Sequence, residues 1–200
     1  MCMKANFLET ENDIAMKTNE LKYSKMTIDR LEEALELITD VYHNYNGKED
    51  NEEAKEWFKE LIDYDWHKKH LEGELELLEP PEEEFERDEE GFICICSFYM
   101  PPDFRMWICE DIGINKIVGV LAMYDEHVYW MFVDGNYHRR GIARTLFDMM
   151  LDELKPETLT VTASLYAADV YRKFGFVDTG PEQIGHGMRY IPMEYVNECA

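Results

Sequence analysis

The stretch Val133-Asp134-Gly135-Asn136-Tyr137-His138-Arg139-Arg140-Gly141-Ile142-Ala143-Arg144 constrains this chain more than any other. It follows an apolar run rich in β-branched and aromatic residues, Val128 to Val133, which reads as a strand. It opens a run in which Ile142, Ala143, Leu146, Phe147, Met150, Leu151 and Leu154 recur at helical spacing up to Lys155-Pro156. A strand, a basic glycine turn and a helix start together make an anion cradle. The first amides of a helix have no partner within it, and the helix dipole is positive there. Arg139, Arg140 and Arg144 concentrate positive charge in a chain whose formal net charge is −23.

That net charge argues against nucleic acid as a partner, because a phosphate backbone would be repelled. It is compatible with a cationic or amine substrate, and equally with a role in solubility alone. No stretch of eighteen apolar residues marks a membrane span, and the first twenty residues carry no apolar signal core. Five cysteines, an odd number without a CxxC pair, read as reduced thiols of a cytoplasmic protein. No HExxH, calcium loop or His/Cys ligand spacing is present, so no metal is expected.

The remaining pattern predicts one α/β domain over 21–200 behind a tail at 1–20. Leu21 to Met26 reads as a strand and Thr27 as a helix cap. Leu31, Ala34, Leu35, Ile38, Val41, Tyr42 and Tyr45 form an amphipathic helix closed by Asn46-Gly47. Ala54 to Trp66 form a second helix. Residues 67–91 then read as an acidic insertion, with eleven acids against Arg87 alone between Leu71 and Glu90. Strands follow over Phe92–Tyr99, Met106–Glu110, Lys116–Tyr124 and Val128–Val133, in an antiparallel meander. After the helix from Ile142 come a strand at Thr158–Ala163, a short helix ending in Tyr171-Arg172-Lys173-Phe174-Gly175-Phe176, and strands at Phe176–Thr179 and Met188–Val196.

In this order of elements, His138-Arg139-Arg140-Gly141-Ile142-Ala143 resembles the phosphate-loop motif Gln/Arg-x-x-Gly-x-Gly/Ala of the GNAT superfamily of acyl-CoA-dependent N-acetyltransferases. Ser164, Ala167 or Ala168, Tyr171, Gly175 and Phe176 resemble its later signature. Gly187 to Met193 looks like the closing strand of several small bacterial members. His138 stands where the family has Gln or Arg, and Ser164 where it often has Asn. The resemblance implies a mixed, mostly antiparallel sheet flanked by helices and splayed at the CoA site. It implies acetyl-CoA as co-substrate and transfer of acetyl to a primary amine of a small molecule, peptide or protein.

By the same resemblance, amides from Arg139 to Arg144 hold the pyrophosphate, His138, Ile142 and Ala143 count among the cofactor-binding residues, and Met131, Phe132 and Val133 pair with the pantetheine arm. Ser164 either bonds that arm or caps the next helix. By spacing alone Tyr171 is a tyrosine on the inner face of a helix. The resemblance makes it the general acid for the leaving thiolate, suited to this because a phenol of pKa about 10 stays protonated at neutral pH. Glu126, His127, Glu182 and His186 are candidate bases, with none selected. The acceptor is an amine of unidentified structure, no membrane partner is expected, and a homodimer is plausible on sheet-edge grounds. The alternative is a non-catalytic acyl-CoA-binding or regulatory module of the same fold. A third reading is an interaction protein whose acidic arm grips a basic partner.

Overall fold

The computed structural model describes residues 20–48, 50–72 and 104–197. The tail, the strand expected over Phe92–Tyr99 and most of the acidic segment lie outside the described residues, as do Cys2, Cys94, Cys96 and Cys199.

The chain begins with β1 (Leu21–Lys25), then a 3₁₀ turn at Ile28–Arg30 and α1 (Leu31–Asn44). Thr27 stands at the start of that turn, but its hydroxyl makes no capping bond. Its carbonyl accepts from the Arg30 amide instead. The single helix expected over Ala54–Trp66 is two helices, α2 (Glu52–Leu61) and α3 (Tyr64–Glu72). The break has a local cause. The Asp63 carboxylate accepts from the Trp66 amide at 2.7 Å and starts a new helix inside a continuous apolar pattern. Asn51 starts α2 in the same way, through the Ala54 amide. Residues 67–72, read from sequence as the start of the insertion, thus belong to α3, whose His67 and His70 are buried.

Next come β2 (Phe104–Asp111), β3 (Lys116–Tyr124) and β4 (His127–Val133). They are followed by α4 (Ile142–Leu154), β5 (Thr158–Ser164) and α5 (Ala168–Phe174). The short strands β6 (Val177–Asp178) and β7 (Gln183–Gly185) both pair with β8 (Met188–Val196). The sheet is open, of eight strands in the order β1-β2-β3-β4-β5-β8-β6, with β7 also on β8. Every pairing is antiparallel except β4 with β5.

Side-chain alternation divides the core between the two faces. Trp107, Leu121, Leu146, Phe147 and Met150 pack on the α4 face. Leu31, Ile38, Tyr42, Phe58, Val120 and Phe132 pack on the α1 face. Bulges interrupt the alternation twice. Cys109 faces Gly119 while Glu110 faces Ile117, so Val118 is the extra residue of β3. Ala122 faces Trp130 while Met123 faces Val128, so Tyr129 is the extra residue of β4. Such bulges bend and twist a strand.

Only one residue pair, His127 with Thr160, joins β4 to β5, beside a bond from the Thr160 amide to the Glu126 carbonyl. Past that point the two strands diverge. Among the described residues, no strand pairs with the β5-facing edge of β4 over residues 130–133. The splay expected from the resemblance therefore lies between β4 and β5.

Candidate active site

The loop from Val133 to Gly141 is braced from within. The Asp134 carboxylate accepts from the Asn136 amide at 2.9 Å and pairs with Lys116 at 3.3 Å. Tyr137 is buried and donates its hydroxyl to the buried Asp111 carboxylate at 2.6 Å, which holds its pKa up at about 12. The His138 Nε2–H donates back to the Val133 carbonyl at 2.9 Å, so His138 closes the loop from inside. Arg139 and Gly141 both take left-handed backbone, with φ of 60° and 83°. Successive turns of this kind gather amides on one concave side.

None of the amides from Arg139 to Arg144 donates to any other protein group among the described residues. The first helical bond of α4 runs from Thr145 to the Gly141 carbonyl. Unpaired donors in series at a helix start are what a pyrophosphate requires, so the residues present fit coenzyme A. A Cβ on Gly141 would meet nothing within 4 Å. The protein leaves room there, and glycine is favoured by its φ and by the approach of an anion. Gly119 has the opposite reason. A Cβ on it would lie 2.6 Å from Ile142 Cγ2, so its absence lets the first turn of α4 seat directly on β3.

The arginines divide. Arg140 bonds the Asn136 carbonyl at 3.1 Å and stacks over the Tyr137 ring. Arg144 bonds the Lys173 carbonyl at 2.7 Å and lies 4.1 Å over the Phe174 ring, tying α4 to the end of α5. Only Arg139 of the three presents a guanidinium with no partner among the described residues. Ile142 is buried, and Ile142 and Ala143 offer the loop their amides.

A cavity of about 1350 Å³ occupies the β4–β5 cleft, and neither Val133 nor any residue from His138 to Arg144 lines it. It passes through the sheet, because Tyr171 and Ala167 of the α4 face and Tyr42 and Phe58 of the α1 face all line it. Met131, Phe132 and Ser164 line it too. The Ser164 hydroxyl accepts from the Ala167 amide at 3.3 Å in the turn before α5, which itself has no side-chain cap, and the Ser164 side chain borders the cavity. Tyr171 is 5% exposed, and its hydroxyl has no partner among the described residues. Burial pushes its pKa up, because the phenolate would lose its water.

Of the four candidate bases, only His127 lines the cavity. It shares a 2.8 Å bond with the Thr160 hydroxyl, and burial pushes its pKa down to about 4. Glu182 pairs with Arg189, and His186 stacks on Trp57 at 4.0 Å, joining α2 to the β7–β8 turn. The roles of Asp111, Tyr137 and Gly119 were missed from sequence. An acid at a strand end before Ile112-Gly113 was the available signal for Asp111, whose carboxylate also accepts from the Gly113 amide.

The chain matches the family described as acetyltransferase (GNAT) domain over residues 97–197. No curated protein matches it. Among solved structures, it is similar to a GCN5-related N-acetyltransferase from Rhodopseudomonas palustris. They share 17% identity at a TM-score of 0.62, over 88% of this chain and 95% of that one. It is also similar to the PaiA N-acetyltransferase of Thermoplasma acidophilum solved with coenzyme A. There the identity is 12% and the TM-score 0.62, over 89% and 99%. A GNAT-family acetyltransferase of Staphylococcus aureus Mu50 aligns at 14% identity and a TM-score of 0.56, over 88% and 99%. The fold is that of these acetyltransferases, and the chain belongs to the GNAT acetyltransferase family.

Proposed function

We propose that this chain transfers acetyl from acetyl-CoA to a primary amine by direct attack, with Tyr171 as general acid. The observation that carries the reading is the continuity of three features. The chain runs from β4, whose β5-facing edge past the bulge has no strand pairing among the described residues, into the loop of unpaired amides. Met131 and Phe132 share their cavity with the Tyr171 hydroxyl.

Acetyl-CoA supplies the acetyl group as a thioester whose sulfur departs as a thiolate. The amides of Arg139 to Arg144 hold the pyrophosphate, with Arg139 as the free cation at the rim. Met131, Phe132 and Val133 lie along the strand edge that would align the pantetheine arm, with Ser164 across the cleft. A β4 amide on that edge would steady the negative charge that develops on the thioester oxygen. The amine nitrogen bonds to the acetyl carbon, the carbon–sulfur bond breaks, and Tyr171 gives its proton to the sulfur. The amine sheds one proton to solvent, and the Tyr171 oxygen regains one. His127, neutral at pH 7, is the one candidate base in the cavity. Holding both reactants in one cavity supplies a large share of the rate by proximity alone.

The test is Tyr171→Phe. General acid catalysis contributes roughly 10²–10⁴-fold, so kcat should fall about a hundredfold while acetyl-CoA affinity stays within twofold. Unchanged kcat would remove Tyr171 from the chemistry. A wild type that binds acetyl-CoA yet acetylates no amine would favour the non-catalytic module.

A further inference from the structure

Past the His127–Thr160 pair, where β4 and β5 have diverged, two aromatic rings meet across the cleft. Tyr45 follows the last turn of α1, and its amide bonds the Val41 and Tyr42 carbonyls. Its side chain reaches the loop between β4 and α4. A Cβ on Gly135 would overlap the Tyr45 hydroxyl. The His138 ring lies 5.1 Å from the Tyr45 ring and is fixed by its bond to the Val133 carbonyl. On the other side Tyr45 meets Tyr166, in the turn between β5 and α5, at 5.3 Å. The end of α1, the loop and the β5–α5 turn thus converge on Tyr45.

This place matters because of what it joins. Tyr45 and Tyr166 line the cavity, whereas Arg139 to Arg144, which carry the unpaired amides, do not. A ligand anchored at those amides reaches toward Tyr171 past this pair of rings. Neither phenol hydroxyl has a hydrogen-bond partner among the described residues. Ring faces hold methyl and methylene groups through dispersion, and phenol hydroxyls bond amides. Together they suit an uncharged chain that carries both. The pantetheine arm of coenzyme A is such a chain, with a geminal dimethyl group and amides along its length.

We propose that Tyr45 and Tyr166 are binding residues for the acyl donor. Their rings pack on the pantetheine arm where it enters the cavity, and so select a donor that carries one. This rests on the acetyl-transfer reading for the identity of the donor. It goes beyond that reading by giving the arm two side chains, one of them from α1, that lie outside the residues the sequence assigns to the cofactor.

The experiment is calorimetric titration of the full chain with coenzyme A and with adenosine 3′-phosphate 5′-diphosphate, which keeps the nucleotide and pyrophosphate and lacks the arm. Tyr166→Ala is the first variant, because Tyr166 is 52% exposed and its ring can be removed without opening the core. It should bind coenzyme A about fivefold more weakly, the scale of one aromatic contact, and bind the nucleotide within about twofold of wild type. Tyr45→Leu should show the same split. Tyr166→Phe, which keeps the ring, should stay near wild type for both ligands. Unchanged coenzyme A affinity in Tyr166→Ala would overturn the proposal. So would an equal loss for both ligands, which would mean that the rings only brace the loop, or a Tyr166→Phe variant as weak as Tyr166→Ala. A folded wild type that binds neither ligand would overturn the acyl-CoA reading, and this proposal with it.

Discussion

At the scale of single residues, Tyr171, which we propose as the proton donor, shows how burial acts on a phenol. Its pKa is raised because the cleft strips water from the phenolate, so the proton is retained through neutral pH and past the ordinary value of about 10. The sign follows directly. A raised folded pKa adds stability that is complete below the unfolded value and lost as pH rises toward the folded one. The alkaline limb of kcat/KM should therefore not show loss of this proton until pH exceeds 10. A limb at pH 8 that disappears in Tyr171→Phe would contradict the assignment. Tyr137 makes a separate residue-scale prediction. Tyr137→Phe leaves the buried Asp111 carboxylate one donor short, which costs about 1–3 kcal/mol by the penalty for an unsatisfied buried acceptor. Thermal unfolding would show it as a drop of several degrees, and an unchanged Tm would deny Tyr137 its anchoring role.

At the scale of elements, two contacts decide where the site sits. Gly119→Ala would place a methyl group against Ile142 and lift the first turn of α4 from β3. Overpacking of this kind costs about 1–3 kcal/mol, and acetyl-CoA affinity should fall with stability because the same turn carries the free amides. A variant that lost stability but kept full affinity would separate the two. The second contact is α3. His67 is fully buried, stacked on Trp130, and its Nδ1–H donates to the Asp63 carbonyl at 2.6 Å. Its Nε2 has no partner among the described residues, and burial pushes its pKa down to about 4. A lowered folded pKa means stability that is present above the unfolded value of about 6.5 and lost as pH falls toward 4. The wild type should therefore lose more stability than His67→Leu between pH 7 and pH 4, read by thermal unfolding. Parallel pH curves would contradict this.

The same elements show what was legible in the chain. α1, β3, α4 and β8 follow the apolar periodicity nearly to the residue, because one face of each packs on a single sheet. The α2–α3 break was hidden because one carboxylate, Asp63, resets the helix without interrupting the apolar spacing. The loop motif was readable as a phosphate cradle, yet its arginines were not separable. Which guanidinium is free depends on where Tyr137 and Phe174 come to rest, and local sequence carries no trace of that. Ser164 stood between two roles for the same reason, since its partner amide at Ala167 becomes available only when β5 turns into α5.

At the scale of the whole molecule, the parallel β4–β5 contact is the organising feature. The pairing of His127 with Thr160 and the bond from the Thr160 amide to the Glu126 carbonyl join the two strands, and the divergence beyond them opens a passage between the two faces. The passage is lined from both faces of the sheet, by Tyr42 and Phe58 on one and Tyr171 on the other, which is the room two substrates need to be present together. The single described cysteine, Cys109, is buried in the core and does not line the cavity, and burial pushes its thiol up to about 11. It is not placed to carry an acetyl group. Initial-rate plots with varied acetyl-CoA and amine should therefore intersect, as for a ternary complex. Parallel lines would indicate a covalent intermediate and contradict the two-sided arrangement.

The central claim, that the α4 start is an acyl-CoA site, is tested most directly by calorimetric titration of the purified chain with acetyl-CoA, beside an Arg139→Glu variant shown to be folded by circular dichroism. Arg139 is the variant of choice because its guanidinium braces no other part of the loop. The account predicts saturable one-to-one binding by the wild type, weakened at least tenfold by the charge reversal. Equal affinity in the two proteins, or a folded wild type that does not bind, would contradict it.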